Sequence, residues 1–385
     1  MLKHLAIITT HPIQYNAPWF RLLAERGNIV IRVFYTWSQV QNEEKFDPGF
    51  GKAIAWDIPL LEGYDYTFVK NTSKNPGSKT FNGIQNPTLI REIEEWGADA
   101  VLIFGWKFRS HLQAIRYFHN KIPVLFRGDS TLLDDESVIK RVFRTYTLRS
   151  VFSKIDYALY VGSANKAYFE RAGLRANKLV FVPHAIDNNR FASAGDSDIP
   201  QWPNVLRDKT IFLYAGKLEL KKGVGFLLST FSDLNTKDAD LIIVGNGPIE
   251  KELKSIYGKI INIHFLDFQN QKTIPSILKN ADVFILPSKG PGETWGLAVN
   301  EAMACGRPVL VSDKCGCAAD LVEEGKTGFV FRSGDADDLK DKIRWCIQHK
   351  DELKQMGEKA HEKIQDWSFE KIVAAIENLV NSFSE

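Results

Sequence analysis

Short apolar runs alternate with longer segments of three-to-four-residue period along the whole chain, a rhythm that predicts parallel strands joined by helical crossovers. In the first half the runs are HLAIITT (4–10), IVIRVFY (29–35), AVLIFG (100–105), PVLFRG (123–128) and YALYVG (157–162). Helices are predicted between them over 17–27, 87–96, 109–119, 136–153 and 163–172. The second half repeats the rhythm with TIFLYAG (210–216), LIIVGNG (241–247), INIHFLD (261–267), DVFILPS (282–288), PVLVS (308–312) and GFVF (328–331). Its helices are predicted over 223–235, 249–257, 273–279, 294–305 and 335–364. Between the halves, ASAGDSDIPQWPN (192–204) has small residues, Asp and Pro without a period, as a linker does. We therefore expect domains over 1–192 and 205–367, with the linker at 193–204. Residues 36–86 break the rhythm; an insertion this long either contacts substrate or decorates the surface.

The helix expected over 294–305 carries an anomaly. Leu297, Ala298, Val299, Ala302, Met303 and Ala304 cover nearly its whole circumference, so it should be buried, yet it keeps Glu301, with Glu293 just ahead of it. A buried carboxylate costs several kcal/mol unless it is paired or hydrogen-bonded. Either Arg307 pairs with Glu301 and Glu293 only complements the positive helix end, or both serve a ligand. Two adjacent ribose hydroxyls can donate together to one carboxylate.

Neighbouring loops favour an anionic ligand. In an open parallel sheet, ligands bind beyond the carboxyl ends of the strands. After TIFLYAG comes KLELKKG, with Lys217 and Lys222 at the strand end and helix start. GNGP follows LIIV, where Gly245 and Gly247 permit close backbone approach and Pro248 suits a first helical position. KGPGETWG follows DVFILPS and would present free backbone N–H groups. Two cations and a helix N-terminus converge as a diphosphate site would require. GNGPIE has Glu250 where a dinucleotide fingerprint needs its third Gly, and it follows the second strand of its half, so a dehydrogenase is disfavoured.

Composition narrows the class. Of 385 residues, 44% are hydrophobic and 25% charged, an ordinary globular balance for two domains. Net charge is +2, with 25 Lys/Arg against 20 Asp/Glu up to residue 200 and 24 against 27 beyond it. That asymmetry suits an anionic surface or acceptor but is too weak for a nucleic-acid binder. Cys305, Cys315, Cys317 and Cys346 fit reduced thiols, and the Cys315-Gly-Cys317 spacing does not suit zinc. Asp196-x-Asp198 could suggest a metal-dependent transferase, but it sits in the linker rather than after a strand, so no metal site is expected. No stretch approaches the ~20 apolar residues of a membrane span. A cytoplasmic protein is expected, at most peripheral at the inner face of a membrane.

The run PSKGPGETWGLAVNEAMACGRPVLVSDKCGCAADLVEEGKTGFVF (287–331) resembles the C-terminal signature of retaining glycosyltransferases of family 4 (glycosyl transferases group 1), with Glu293 and Glu301 as its Glu-x7-Glu element. YAGKLELKKG, VGNGPIEKEL and VPHAIDNNRF are similar to further motifs of that family, in the family's order. The opening THPIQYNAPWF resembles an HPIQY subgroup. The resemblance implies the GT-B fold, two Rossmann-like, doubly wound α/β domains facing across a cleft, with the segment 368–385 crossing back to the first. It implies a nucleotide-diphosphate sugar as donor substrate, no other cofactor, and a metal-independent retaining transfer in synthesis of a cell-surface polysaccharide or glycoconjugate. UDP is the favoured nucleotide, then GDP.

By that resemblance Lys222 and Lys217 bind the diphosphate, Glu301 the ribose and Glu293 the transferred sugar. Gly216, Gly245, Gly247 and the backbone of Thr294, Trp295, Gly296 and Leu297 complete the donor site, and backbone groups near Phe265 and Leu266 meet the base. Three positions depart from the pattern: Lys217 replaces the usual Arg, trading a bidentate fork for a point charge; Arg127 stands where many members have His, so Arg127 or Asp129 must take over that work; and His184 replaces Asn. In such a transfer the acceptor hydroxyl attacks on the face the diphosphate leaves, and a donor phosphate oxygen takes its proton. The acceptor, a glycan or a lipid-linked glycan, is expected in the first half, near His11, Gln14 and Asn16. Segment 137–154, with Lys140, Arg141, Arg144, Arg149 and Lys154 among apolar residues, is either a peripheral membrane contact or a half-buried crossover helix with a solvated basic face. Rival readings are a sugar-nucleotide epimerase or phosphorylase on the same fold, and an inactive partner subunit.

Overall fold

The computed structural model describes residues 1–37, 45–47, 49–134, 138–193, 195, 202–203, 208–290 and 292–383, with the side chains of 45–47 and 138–143 left undescribed. The chain forms two units: residues 1–43, 59–183 and 369–385 make the first, and residues 44–58 and 184–368 the second.

The first unit is built on a parallel sheet of seven strands. In chain order these are β1 (His4–Thr9), β2 (Val30–Tyr35), then, after the separate hairpin β3 (Lys45–Asp47) and β4 (Lys52–Ile54), β5 (Tyr66–Phe68), β6 (Ala100–Phe104), β7 (Val124–Arg127), β8 (Tyr157–Tyr160) and β9 (Leu179–Phe181). Their order across the sheet is β5-β2-β1-β6-β7-β8-β9, and every pairing is parallel. Helices on both faces explain why Leu5, Ala6, Ile7 and Ile8 are all fully buried: a doubly covered parallel strand has no solvent face and needs an unbroken apolar run. The strand order reverses between β1 and β6, so the loops after them, carrying His11 and Gly105, flank the switch point.

The helix Phe369–Asn381 belongs to this unit. Its buried Glu377 receives three hydrogen bonds from the Arg26 guanidinium, at 3.0, 3.1 and 2.8 Å, at the last turn of the helix Ala17–Arg26. In the helix Val138–Phe152, Leu148, Val151 and Phe152 are buried in the core while Tyr146 is 69% exposed. Of the expected basic face, the side chains of Lys140 and Arg141 lie outside the described residues. No helix among the described residues is long and apolar enough to cross a membrane.

The second unit carries six parallel strands: β10 (Thr210–Ala215), β11 (Ala239–Val244), β12 (Ile263–Leu266), β13 (Val283–Leu286), β14 (Val309–Ser312) and β15 (Gly328–Phe331), in the order β12-β11-β10-β13-β14-β15. Here the order reverses between β10 and β13, which places the lysine loop and the GPGETWG loop on either side of the switch point.

Three boundaries differ from the sequence reading. The helix expected over 335–364 is two, Ala336–Gln348 and Lys350–Ile364, broken at His349 (φ −118°, ψ 37°). The units part at residue 183 rather than near 192. The segment after 183 is drawn to the second unit because buried Asn188 donates to the carbonyls of Ile364 and Trp367 at 3.1 and 3.2 Å, and Arg190 holds Gln271. Residues 44–58 also join the second unit. Most of 193–204, including Asp196 and Asp198, lies outside the described residues.

Candidate functional site

The second unit's loops are locked by close backbone approaches. Gly245, at φ +137°, follows β11, and a Cβ there would lie 2.0 Å from the Gly216 carbonyl oxygen. Gly223, at φ +69°, closes the lysine loop, and its Cβ would lie 1.9 Å from the Pro287 carbonyl oxygen. A side chain at either place would force the loops after β10, β11 and β13 apart. Tyr214, buried in β10, donates its hydroxyl to the Lys217 carbonyl at 2.7 Å and fixes the turn from the other side. Burial first, and the Glu293 charge second, push the Tyr214 pKa up, so the phenol remains a donor.

Within this frame Lys222 and Glu293 meet: Lys222 Nζ lies 2.5 Å from Glu293 Oε2, with side chains 24% and 10% exposed. The same carboxylate oxygen accepts from the Ser288 hydroxyl at 2.7 Å, while the Glu293 carbonyl accepts from the Gly316 N–H at 3.1 Å. Ser312 donates to the Ser288 carbonyl at 2.5 Å and ties the loop to β14. These serines escaped the sequence reading, because a lone Ser carries no motif and only the folded loop turns it toward Glu293.

The helix after the loop begins at Leu297 rather than 294. Gly296 caps it at φ +102°, a left-handed conformation that a helix cannot contain, and Leu297–Ala304 follows. Trp295 donates Nε1 to Asn300 Oδ1 at 2.8 Å, and Asn300 donates Nδ2 to the His184 carbonyl at 3.0 Å, with the His184 ring 5.9 Å from the indole. Thr294 to Leu297 and His184 are thus gathered at one helix start. Glu301 is buried one turn further in, 6% exposed. Arg307, weighed as its partner, donates to the carbonyls of Cys305 at 3.2 Å and Ala281 at 3.0 Å. On the β12 side, the Gly245 N–H reaches the Leu266 carbonyl at 3.0 Å, and Asn246 Oδ1 accepts from the Phe268 N–H at 2.9 Å, joining the loop that carries Gly247 to the end of the strand containing Phe265 and Leu266.

Cys305, Cys315, Cys317 and Cys346 are buried free thiols; burial pushes Cys305, Cys315 and Cys346 up to about 12, so they remain protonated at neutral pH.

The other predicted residues lie in the first unit. Arg127 ends β7 fully inside the fold, and its two amino groups donate to the carbonyls of Val182 at 2.7 Å and Pro183 at 2.9 Å. Burial lowers its pKa to about 10, against the opposing pull of Asp129, so it is still a cation at neutral pH. Those two bonds tie the end of β7 to the segment after β9. At the switch point His11 Nδ1 is 2.9 Å from Thr10 Oγ1 and its ring stands edge-on to Trp37, while Asn16 Oδ1 accepts from Trp19 Nε1 at 3.4 Å. Gln14 is half-buried in the same loop.

One group there was not anticipated. His111, in the helix Arg109–Phe118, is fully buried with Nδ1 2.9 Å from the Phe104 carbonyl and 3.2 Å from that of Gly105. Carbonyls only accept, so Nδ1 carries the proton and Nε2 is the acceptor for Thr36 Oγ1 at 2.9 Å. Burial drops its pKa to about 4. In the sequence it is a polar residue inside a helical period, with no partner visible within reach.

Comparison with known proteins identifies the fold. Residues 197–363 match the family described as glycosyl transferases group 1. The sulfoquinovosyl transferase SQD2 of Arabidopsis thaliana is 28% identical over 174 residues, 44% of this chain but only 33% of that protein. Among solved structures, sucrose-phosphate synthase from Thermosynechococcus elongatus aligns with a TM-score of 0.77 at 17% identity over 98% of each chain. HepE from Anabaena, in complex with UDP and glucose, aligns at 0.71 and 19% over 99% of this chain and 100% of that one. Likeness at those identities establishes the architecture of both units as the GT-B fold, and the segment that matches the glycosyl transferases group 1 family, residues 197–363, contains the lysine loop, the glycine loops and both glutamates.

Proposed function

We propose that this chain transfers a sugar from a nucleotide-diphosphate sugar to a hydroxyl group of a glycan or lipid-linked acceptor, with retention at the anomeric carbon and without a metal. The observation that carries the proposal is the Lys222–Glu293 pair at the switch point, whose lysine shares its loop with Lys217 and whose glutamate lies just ahead of a buried helix. As the glycosidic bond breaks, negative charge gathers on the departing diphosphate. Lysines and helix N–H groups held in place beforehand stabilise that charge more than they stabilise the intact donor, which lowers the barrier. Two ammonium groups take the neutralising role a divalent ion has in other transferases. The acceptor oxygen forms the new C–O bond on the face the diphosphate leaves, and its proton passes to a phosphate oxygen, so no protein base is required.

Glu293 then turns from Lys222 to the hydroxyls of the transferred sugar, and Glu301 takes the ribose hydroxyls. UDP is the nucleotide we favour; the UDP-bound HepE, alike in fold, supports that preference. Synthesis of a surface polysaccharide or glycoconjugate is the setting we favour. Melting curves with UDP, GDP and ADP test the reading first: a ligand at 100 times its Kd adds about 2.7 kcal/mol of stability. We expect UDP to raise the melting temperature, and the purified chain to hydrolyse a UDP-sugar slowly, with loss in Glu293→Gln. Nucleotide binding without any turnover would instead favour an inactive partner subunit.

A further inference from the structure

The hairpin of β3 and β4 comes from the insertion between β2 and β5, yet it belongs to the second unit. Its attachments are specific. Asn270 Nδ2 donates to the Ala55 carbonyl at 2.6 Å, and the Lys272 N–H meets both carboxylate oxygens of Asp57 at 3.2 and 3.1 Å. The Phe268 ring, two residues beyond β12, receives Phe50 edge-on at 4.6 Å and Trp56 at 6.3 Å, with the Lys52 ammonium 5.1 Å above it. The turn of the hairpin reaches β10's loop as well. A Cβ on Gly49 would lie 2.7 Å from Lys217 Nζ and 2.6 Å from the Glu219 carboxylate, and Lys217 Nζ stands 5.0 Å from the Phe50 ring.

These contacts place the hairpin across the carboxyl ends of β10 and β12, the strands on either side of β11, whose own end carries Gly245, Asn246 and Gly247. That is the edge of the sheet where a nucleoside joined to a diphosphate at Lys217 must lie. An aromatic ring beside an ammonium matches such a ligand at both ends: a planar base stacks on the ring, and the phosphate charge meets the cation.

We propose that this hairpin, through Phe50 and Trp56 with Phe268, forms the nucleoside-side wall of the donor site, and that Phe50 is a positioning residue that sets donor affinity and base preference. The proposal rests on the nucleotide-sugar reading above and adds to it a segment outside the residues that match the family.

The test uses the full chain and measures UDP and GDP affinity by calorimetry, with donor KM and kcat from slow UDP-sugar hydrolysis. The proteins are the wild type, Phe50→Ala, Phe50→Trp and Lys222→Ala. Losing one stacking face at the low end of base–aromatic energies weakens UDP by about five- to tenfold in Phe50→Ala. Donor KM should rise by the same factor with kcat within about twofold, the UDP-to-GDP ratio should change, and Phe50→Trp should restore both. A ring that only props up the loop would lower the melting temperature and leave that ratio untouched. If Lys222→Ala weakens UDP while Phe50→Ala leaves it unchanged or tightens it, the wall is refuted and the donor site stands. If the wild-type chain binds no nucleotide, both fall.

Discussion

Replacing Lys222 by Ala removes both the cation proposed to neutralise the leaving diphosphate and the partner of a carboxylate that is 10% exposed. In the ligand-free chain Glu293 keeps its hydrogen bond from Ser288 at 2.7 Å but loses the ammonium at 2.5 Å. Removing one member of a fully buried pair costs about 3–5 kcal/mol, and an exposed pair contributes about 1 kcal/mol or less. With one side chain a quarter exposed and the other nearly buried, the loss should be about 2 kcal/mol. Glu293→Gln removes the same pair but leaves unpaired the more exposed of the two charges, the Lys222 ammonium, so it should cost less. In turnover the order reverses in kind: losing one preorganised donor of this sort lowers the rate by about 10² to 10³. The assay is UDP release from a UDP-sugar, read alongside near-ultraviolet circular dichroism to confirm an intact fold. In the Lys222→Ala, Glu293→Gln double variant, stability should return toward the wild type while turnover does not. Near-wild-type turnover in folded Lys222→Ala would refute the electrostatic reasoning.

Two further predictions concern the first unit. His111 has a folded pKa of about 4 against an ordinary value of 6.5, so the unfolded chain binds the extra proton between those values. Its contribution is complete above pH 6.5 and is lost as pH falls toward 4, about 3 kcal/mol in all; urea unfolding at pH 7, 5.5 and 4 should show that loss, and His111→Gln should flatten it. Arg127→Lys replaces a fork on two carbonyls by one ammonium, which should cost about 2 kcal/mol and be visible as faster hydrogen exchange around Val182. Unchanged exchange would mean that the two bonds do not hold the segment after β9 in place.

The longer strands were legible because a parallel strand covered on both faces needs a mainly apolar run, and the chain has one at each of them, interrupted only at positions such as Arg32 in β2 and His264 in β12. The three-residue strands β3, β4, β5 and β9 were not: so short a segment has no period to read, and its pairing is decided by what lies beside it. The break at His349 was hidden for a related reason. The apolar period continues from Leu339 through Ile343 and Cys346 to Leu353 and Met356, while the interruption is local: His349 Nδ1 lies 2.8 Å from the Trp345 carbonyl, its ring stacks on the indole, and Asp351 and Glu352 start a new helix. In the site, Lys222 and Glu293 were visible as charged residues where a loop meets a helix, but their contact joins positions 71 residues apart and is a property of the fold. Ser288, His111 and the hairpin on Phe268 are of that second kind throughout.

The pair also bears on how a lysine can be ready for a diphosphate before the donor arrives. An ammonium on a four-carbon stem left alone in a loop samples many rotamers, and ordering it at the moment of reaction would add to the barrier. Glu293 holds it in one place, and Ser288 holds Glu293. On the proposed reading the donor replaces one anionic partner of Lys222 by another, so the local charge balance is kept while the freed carboxylate gains sugar hydroxyls as donors. That exchange predicts opposite behaviour for two ligands: free UDP should displace Glu293 without satisfying it, whereas a UDP-sugar does both. Calorimetry with Glu293→Gln separates them. UDP affinity should hold or rise, because the competing carboxylate is gone, while UDP-sugar affinity should fall; a fall of equal size for both ligands would mean that Glu293 serves the diphosphate site as a whole and not the sugar.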